Sequence, residues 1–561
     1  MSKTDFAVMG IFALLILSIG MAFTRTGSKS SNAFFEAGGE TPWWINGLSL
    51  FISYFSAGTF VVWGSIAYKH GLVANGIQLT MVLGGLLVAV FIAGKWKRTR
   101  ALTAAEYIGS RFGTKVQQFY TLLIMIYSLF ATAAVLYPVG KMVNVATGLS
   151  IDVCILIIGG IIVLYTAAGG LWAVLVTDVV QFVVLTAAVF IVIPLAVDEV
   201  GDIGQFIRKA PPHFFNFFNS EYTFGFFLAF LIYQTVYIGG NWAYVQRYTS
   251  VSNERNSRKV AYLFTVLYLV SPFIWMLPPM IYRVLNPGLT GLQPEGAYML
   301  ICERVLPAGL VGLVLSGMVS ATASKANTTI NLVAVVFAND VYKKIFRPHA
   351  TEKSLIYAAR LFTAMFGFIT ILIAMMIPMV GGIVEMVLST ASIAGGALFA
   401  PIIWSLYSRR QTSVSVVTAS IAGLVVSLFF KIGAPLVLGF ALNRMWETIL
   451  GVGLPLLLLL VQELWGRTPG AESGQWRQSV SSTDDNKDLI NKKSDHIQSV
   501  KQNVFGIKVI AIAVGIVGTG IFLLGSIANR GAVAMLIGGI IAVTFFPIWF
   551  SALKIERKLK K

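Results

Sequence analysis

The sequence predicts an all-α polytopic membrane protein that crosses the bilayer about fifteen times, and three observations carry that prediction. Hydrophobic residues fill 57% of the 561 positions and charged residues only 12%, against roughly 45–50% and 25% in an average soluble protein. So little polar material cannot clothe a water-soluble globule of this size, and the mean hydropathy of +0.78 says the same. The apolar residues are also gathered into runs of about 20, the length an α-helix needs to cross the hydrocarbon layer.

In chain order the runs lie at about 6–25, 43–67, 72–94, 118–143, 151–169, 178–197, 223–243, 260–285, 300–338, 356–378, 382–406, 412–430, 445–464, 506–526 and 533–553. The first has no small-residue cleavage site and reads as a retained helix rather than a signal peptide. Orientation follows from the loop charges. With the N-terminus outside, the cytoplasmic loops hold 29 Lys and Arg and the opposite loops eight, so the positive-inside rule puts the N-terminus out and the C-terminus in. The segment 465–505 is rich in polar and charged residues and is expected to be disordered. It separates the last two runs from the rest as an accessory hairpin.

Composition also excludes classes of function. A net charge of +18 would suit a nucleic-acid partner only if the basic residues clustered on a polar domain, and here they sit in short loops between apolar runs. Cys154 and Cys302 both lie in apolar runs, so no disulfide framework or thiolate zinc site is expected. The four histidines have no metal-ligand spacing. No nucleophile–base set or phosphate-cradling loop lies outside the runs, so the chain does not read as an enzyme.

Polar residues inside a span require a helix contact, a cavity or a site, and four segments contain them. In 43–64, Ser49, Ser53, Ser56 and Gly58 interrupt the run near mid-membrane, which suits either a broken helix with freed carbonyls or close small-residue packing. In 165–181, Gly169 and Gly170 precede Thr177, Asp178 and Gln181. Asp178 is either the N-cap of the next helix or a carboxylate on the inner exit path of a cation. In 223–247, Tyr233, Gln234, Tyr237, Asn241, Tyr244 and Gln246 form a polar, aromatic face, suited to a stacked polar solute or to aromatic packing.

The fourth segment, 309–342, places Ser316, Ser320, Ser324, Asn327, Thr328 and Asn331 on one helical face, with Lys325 among them. Lys325 stands fifteen residues before Asp340, roughly 22 Å at 1.5 Å per residue. A lysine side chain cannot snorkel that distance. A charge so deep costs at least about 2.5–3.5 kcal/mol on insertion scales, so it ties helices together, serves a cation site, or sheds its proton.

Taken in order, WWINGLSLFISYFSAGTF, LTAAEYIGSRFG (102–113), YTAAGGLWAVLVTDVVQ, GGNWAYVQR (239–247), LPPMIYRVL (277–285) and GLVGLVLSGM through NDVYKKI (309–345) resemble the sodium:solute symporter family over about residues 1–465. The resemblance implies a leucine-transporter-type fold of two inverted five-helix repeats. Residues 1–42 would be an N-terminal extra helix, 43–411 the transport core, 412–464 additional helices and 506–561 the accessory hairpin with a basic tail. It further implies solute and ion binding at mid-membrane between the broken first helices of the repeats.

Carried over by motif, the family's main sodium site uses backbone carbonyls at Ile52, Phe55 and Ala321 and two consecutive hydroxyls. Counted back without gaps from Asp340, the hydroxyl positions are Ser324 and Lys325, so an ammonium replaces one hydroxyl. Asp178 matches the family's aspartate near the cytoplasmic ion exit. For the solute, the positions of sugar-carrying relatives become Tyr54, Thr59, Gln78 and Tyr268, while an amide stays at Asn241. These departures point away from glucose or galactose and toward a neutral, polar or aromatic-stackable solute.

The expectation is therefore a secondary transporter of the plasma membrane, a bacterial inner membrane, with no cofactor. Its partners are a small solute and the bilayer, and the sequence says nothing of oligomeric state. Its coupling ion is sodium by family, but Lys325 favours a proton or no ion. A transporter-like sensor that signals solute occupancy to a partner is the competing class. A channel lacks the charge rings or filter loop it would need.

Overall fold

In the computed structural model, residues 1–27, 41–101, 104–165, 171–337, 342, 347, 352–465 and 488–559 are described. Among them every regular element is helical and no strand is present. Eleven helices are long and apolar enough to cross a membrane, or thirteen when two sharply bent pairs each count as one. Two shorter apolar helices, Ile151–Val163 and Leu310–Ala326, cover the remaining expected runs.

The bent pairs are the architectural key. The first joins Trp43–Tyr54 to Thr59–His70 at 51°, and the second joins Phe224–Gly240 to Trp242–Thr249 at 59°. At the first break Phe55 is extended, with φ −94° and ψ 102°. Thr59 clasps the gap, since its Oγ1 accepts from the Ser56 N–H at 3.2 Å and donates to the Tyr54 carbonyl at 2.8 Å. At the second, Asn241 is extended and its Oδ1 accepts from the Ala243 N–H at 3.0 Å, capping the new half-helix. In lipid these side-chain bonds stand in for the backbone bonds that a break removes.

Around the breaks, the Trp43–Tyr54 half-helix packs against Leu171–Val200 and Glu254–Trp275, and Phe224–Gly240 packs against Val73–Leu87. The N-terminal helix Lys3–Gly27 lies on Leu310–Val336. Asp5 fastens it there by accepting from the Gly309 and Gly312 N–H groups at 2.7 and 2.9 Å. A Cβ at Gly312 would lie 2.3 Å from the Asp5 carbonyl oxygen, so only glycine permits this approach. The final helices Asp488–Ser526, Ala532–Val543 and Phe545–Leu559 form a hairpin and tail, the first two resting on Leu171–Val200.

Three details differ from the sequence expectation. The 300–338 run is two helices, Ala297–Val305 and Leu310–Val336, with Gly309 at φ +91° between them. Asp178 is not an N-cap, because its helix begins at Leu171, seven positions earlier. The loop 465–505 is not irregular throughout, since a helix is already formed at Asp488. Residues 466–487, the Gly169–Gly170 pair, Asp340 and parts of the 102–113 and 339–345 motifs lie outside the described residues, as do the side chains of Asn327, Thr328 and Asn331.

Candidate functional site

The two breaks meet. The rings of Tyr54 and Tyr244, one from each bent pair, have centroids 4.7 Å apart. Beside them is a cavity of about 230 Å³, far above the ~10–15 Å³ that admits one water. The first break contributes Ile52, Ser53, Tyr54 and Thr59 to its wall, and the second contributes Tyr233, Gln234, Tyr237, Asn241 and Tyr244. Asp178 enters from the Leu171–Val200 helix, and Ala321, Ser324 and Lys325 from Leu310–Val336.

Each wall residue has a local reason to face inward. Ile52 precedes the break, and the Ser56 N–H that would cap its carbonyl in a continuous helix turns to Thr59 instead. Phe55 is buried outside the cavity, its ring stacked on Trp275 with centroids 3.3 Å apart. The tyrosines at 233 and 237 are one turn apart on the same helix and stack at 5.5 Å. Apolar ring faces therefore line the space, as a polar solute with a flat or hydrocarbon body requires.

The carboxylate of Asp178 is only 5% exposed and belongs to a network. Ser49 Oγ donates to its Oδ2 at 2.6 Å, and Arg247 Nη2 lies 3.9 Å from the same oxygen. Arg247 also donates from Nε to Ser49 Oγ at 3.3 Å and from Nη1 to the Ala243 carbonyl at 2.8 Å. One turn on from Asp178, Gln181 Nε2 donates to Ser320 Oγ at 2.8 Å. The first half of the first bent pair, the second half of the second and the two long helices are thus joined through buried polar groups.

Lys325 is fifteen positions into Leu310–Val336, about 22 Å from its start and 16 Å from its end at 1.5 Å per residue. Among the described residues its ammonium has no ion pair and no hydrogen-bond partner; only its backbone carbonyl is engaged, accepting from Thr329 Oγ1 at 3.2 Å. No group of three or more His, Cys, Asp or Glu side chains that could hold a metal ion is present among the described residues.

Nine of the eleven residues singled out from the sequence gather at or beside this cavity in the way just described, Phe55 included as a neighbour of its wall. Gln78 and Tyr268 do not line it. Tyr268 stands behind Tyr54 with ring centroids 6.1 Å apart, and Gln78 is fully buried on Val73–Leu87, with neither side-chain polar atom bonded among the described residues. Thr59 and Asn241 line the cavity while also capping the breaks. Arg247 lies beyond the 223–243 run, where the sequence reads as loop; its position three residues after Tyr244, on the polar aromatic face, is the signal that could tie it to the interior.

Comparison with known proteins gives the family and the fold. The model of the sodium:solute symporter family matches residues 34–423. The human sodium/iodide cotransporter is 30% identical over 451 residues, covering 76% of this chain and 70% of that protein. The mouse sodium/glucose cotransporter 1 is 27% identical over 482 residues, 76% and 71% of the two chains. The sodium/glucose cotransporter of Vibrio parahaemolyticus is 24% identical over 484 residues, 80% and 89%. Among solved structures, a Na+-coupled sialic acid symporter in a substrate-bound outward-open state superposes with a TM-score of 0.67 at 21% identity, over 83% of this chain and 99% of that one. The fold is of the leucine-transporter type.

Proposed function

Because the chain belongs to the sodium:solute symporter family, we propose that it carries a small polar solute, a sugar or similar molecule, by alternating access, with Lys325 in the place of the family's sodium ion. Membership makes the chain a multi-pass secondary transporter of small molecules and not an enzyme. The plasma membrane as its site, the N-terminus outside and the C-terminus inside, and a transport core over 43–411 are parts of the same proposal.

One observation carries it: an ammonium unpaired among the described residues lines the cavity that holds Ile52, Ala321, Ser324 and Asp178. A sodium ion about 4 Å from that ammonium would be repelled by about 4 kcal/mol at an effective dielectric constant of 20. The donor set therefore does not suit sodium while Lys325 is charged. A protonated Lys325 supplies the cation's contacts itself, and coupling then runs through its proton, past Asp178, or not through an ion at all. Glucose and iodide are the cargo that the relatives' names give them. Of the positions that line the cavity, Tyr54 and Thr59 depart from the residues of sugar-carrying relatives, so glucose does not transfer directly.

The test is counterflow in proteoliposomes with labelled sugars, amino acids and organic acids, with and without sodium and at two pH values. The wild type is expected to exchange solute without sodium, and Lys325→Ser to acquire sodium dependence. Saturable binding with no exchange by any solute would favour the sensor class instead.

A further inference from the structure

Resting on the transport reading above but not on a sugar as its cargo, we propose that the solute is an anion, a small carboxylate with an apolar or aromatic body, and that Lys325 is its counter-ion inside the cavity. Three of the lining residues are charged: Asp178, Arg247 and Lys325. Asp178 and Arg247 already answer one another, directly at 3.9 Å and through Ser49. One positive charge is left over. Carbonyls freed at the first break can solvate that ammonium, but they carry no net charge to balance it. A neutral solute would leave that buried cation without a counter-charge, whereas an anion pairs with it.

The unmet donors of the wall point the same way. Trp242 Nε1 and Tyr54 Oη are buried on lining residues and have no partner among the described residues. An indole N–H can only donate, so the group that meets it must accept. A carboxylate offers about four acceptor sites and no donor. Gln234 Oε1 is also open among the described residues; being an acceptor it needs a donor, which a carboxylate lacks, so a hydroxyl or amide on the body of the solute must meet it. The stacked Tyr233–Tyr237 pair and the Tyr54–Tyr244 pair then leave ring faces for the body of the molecule.

Charge isosteres separate this from the transport reading. Purified full-length protein would be given benzoate against benzamide and lactate against lactamide, with glucose as a neutral polyol. Thermal stabilisation reports binding, and counterflow in proteoliposomes reports movement. The expected result is that each carboxylate binds and exchanges at least about tenfold better than its amide and better than glucose. Lys325→Met, checked as monodisperse, is expected to lose that preference, and Lys325→Arg to keep it. Amides or glucose exchanging as well as the carboxylates would overturn the anion assignment while leaving the transporter intact. Carboxylate-selective stabilisation without exchange would overturn transport while leaving the anion site. No response to any member of the panel, or a folded Lys325→Met that still prefers carboxylates, would overturn the anion assignment with Lys325 as its counter-ion.

Discussion

A lysine in the middle of a membrane helix has three physical options: a partner, a cavity or neutrality. Lys325 has the cavity, and the other charged residues lining it, Asp178 and Arg247, already answer one another. That arrangement predicts a strong coupling between the other two residues. Asp178→Asn leaves Arg247 buried without its counter-charge and is expected to lower stability by about 3–5 kcal/mol, and Arg247→Met is expected to do the reverse harm to Asp178. In the double variant the two effects should fall short of their sum by about 1–3 kcal/mol. Thermal unfolding of the four proteins in detergent measures this, and strict additivity would mean that the pair does not interact. Lys325 was legible in the sequence because one charge stood far from either helix end. Arg247 was not, because counting charges along the chain cannot see that the break at Asn241 turns the next half-helix, and its arginine, inward.

At the scale of elements, the two broken helices organise the molecule, and each is held by one side chain. The Ser56–Gly58 stretch shows that the first helix could open, and the family resemblance implies a second broken helix. The sequence did not distinguish a capping role from a binding role for Thr59 and Asn241, since both uses need the same polar atoms. Asn241→Ala removes the cap on Trp242–Thr249 and should cost about 1 kcal/mol, while Asn241→Ser should recover most of it. Unfolding measured without solute tests this; equal losses in both variants would show that the cap is not what the side chain provides. Resemblance along the chain carried Gln78 and Tyr268 into the solute site by position. The direction in which a helix presents a residue depends on tertiary packing, and there Tyr268 backs Tyr54 rather than meeting the cavity.

For the whole molecule, hydropathy was enough to locate the helices, because every run long enough to cross a bilayer must form its backbone bonds internally. The joint at Gly309 and the helix from Asp488 were less legible, since a glycine within an apolar run and a polar helix outside one both escape a hydropathy window. The proposed orientation predicts that Arg530→Cys reacts with a membrane-impermeant maleimide on intact cells and Lys554→Cys only after lysis. The native Cys154 and Cys302 are buried and leave a quiet background. The central claim, that a tethered ammonium replaces the sodium ion, is tested most directly by solute uptake into proteoliposomes with Lys325 intact and sodium replaced by choline. Undiminished uptake is the predicted result. Uptake abolished without sodium and restored by millimolar sodium would contradict it.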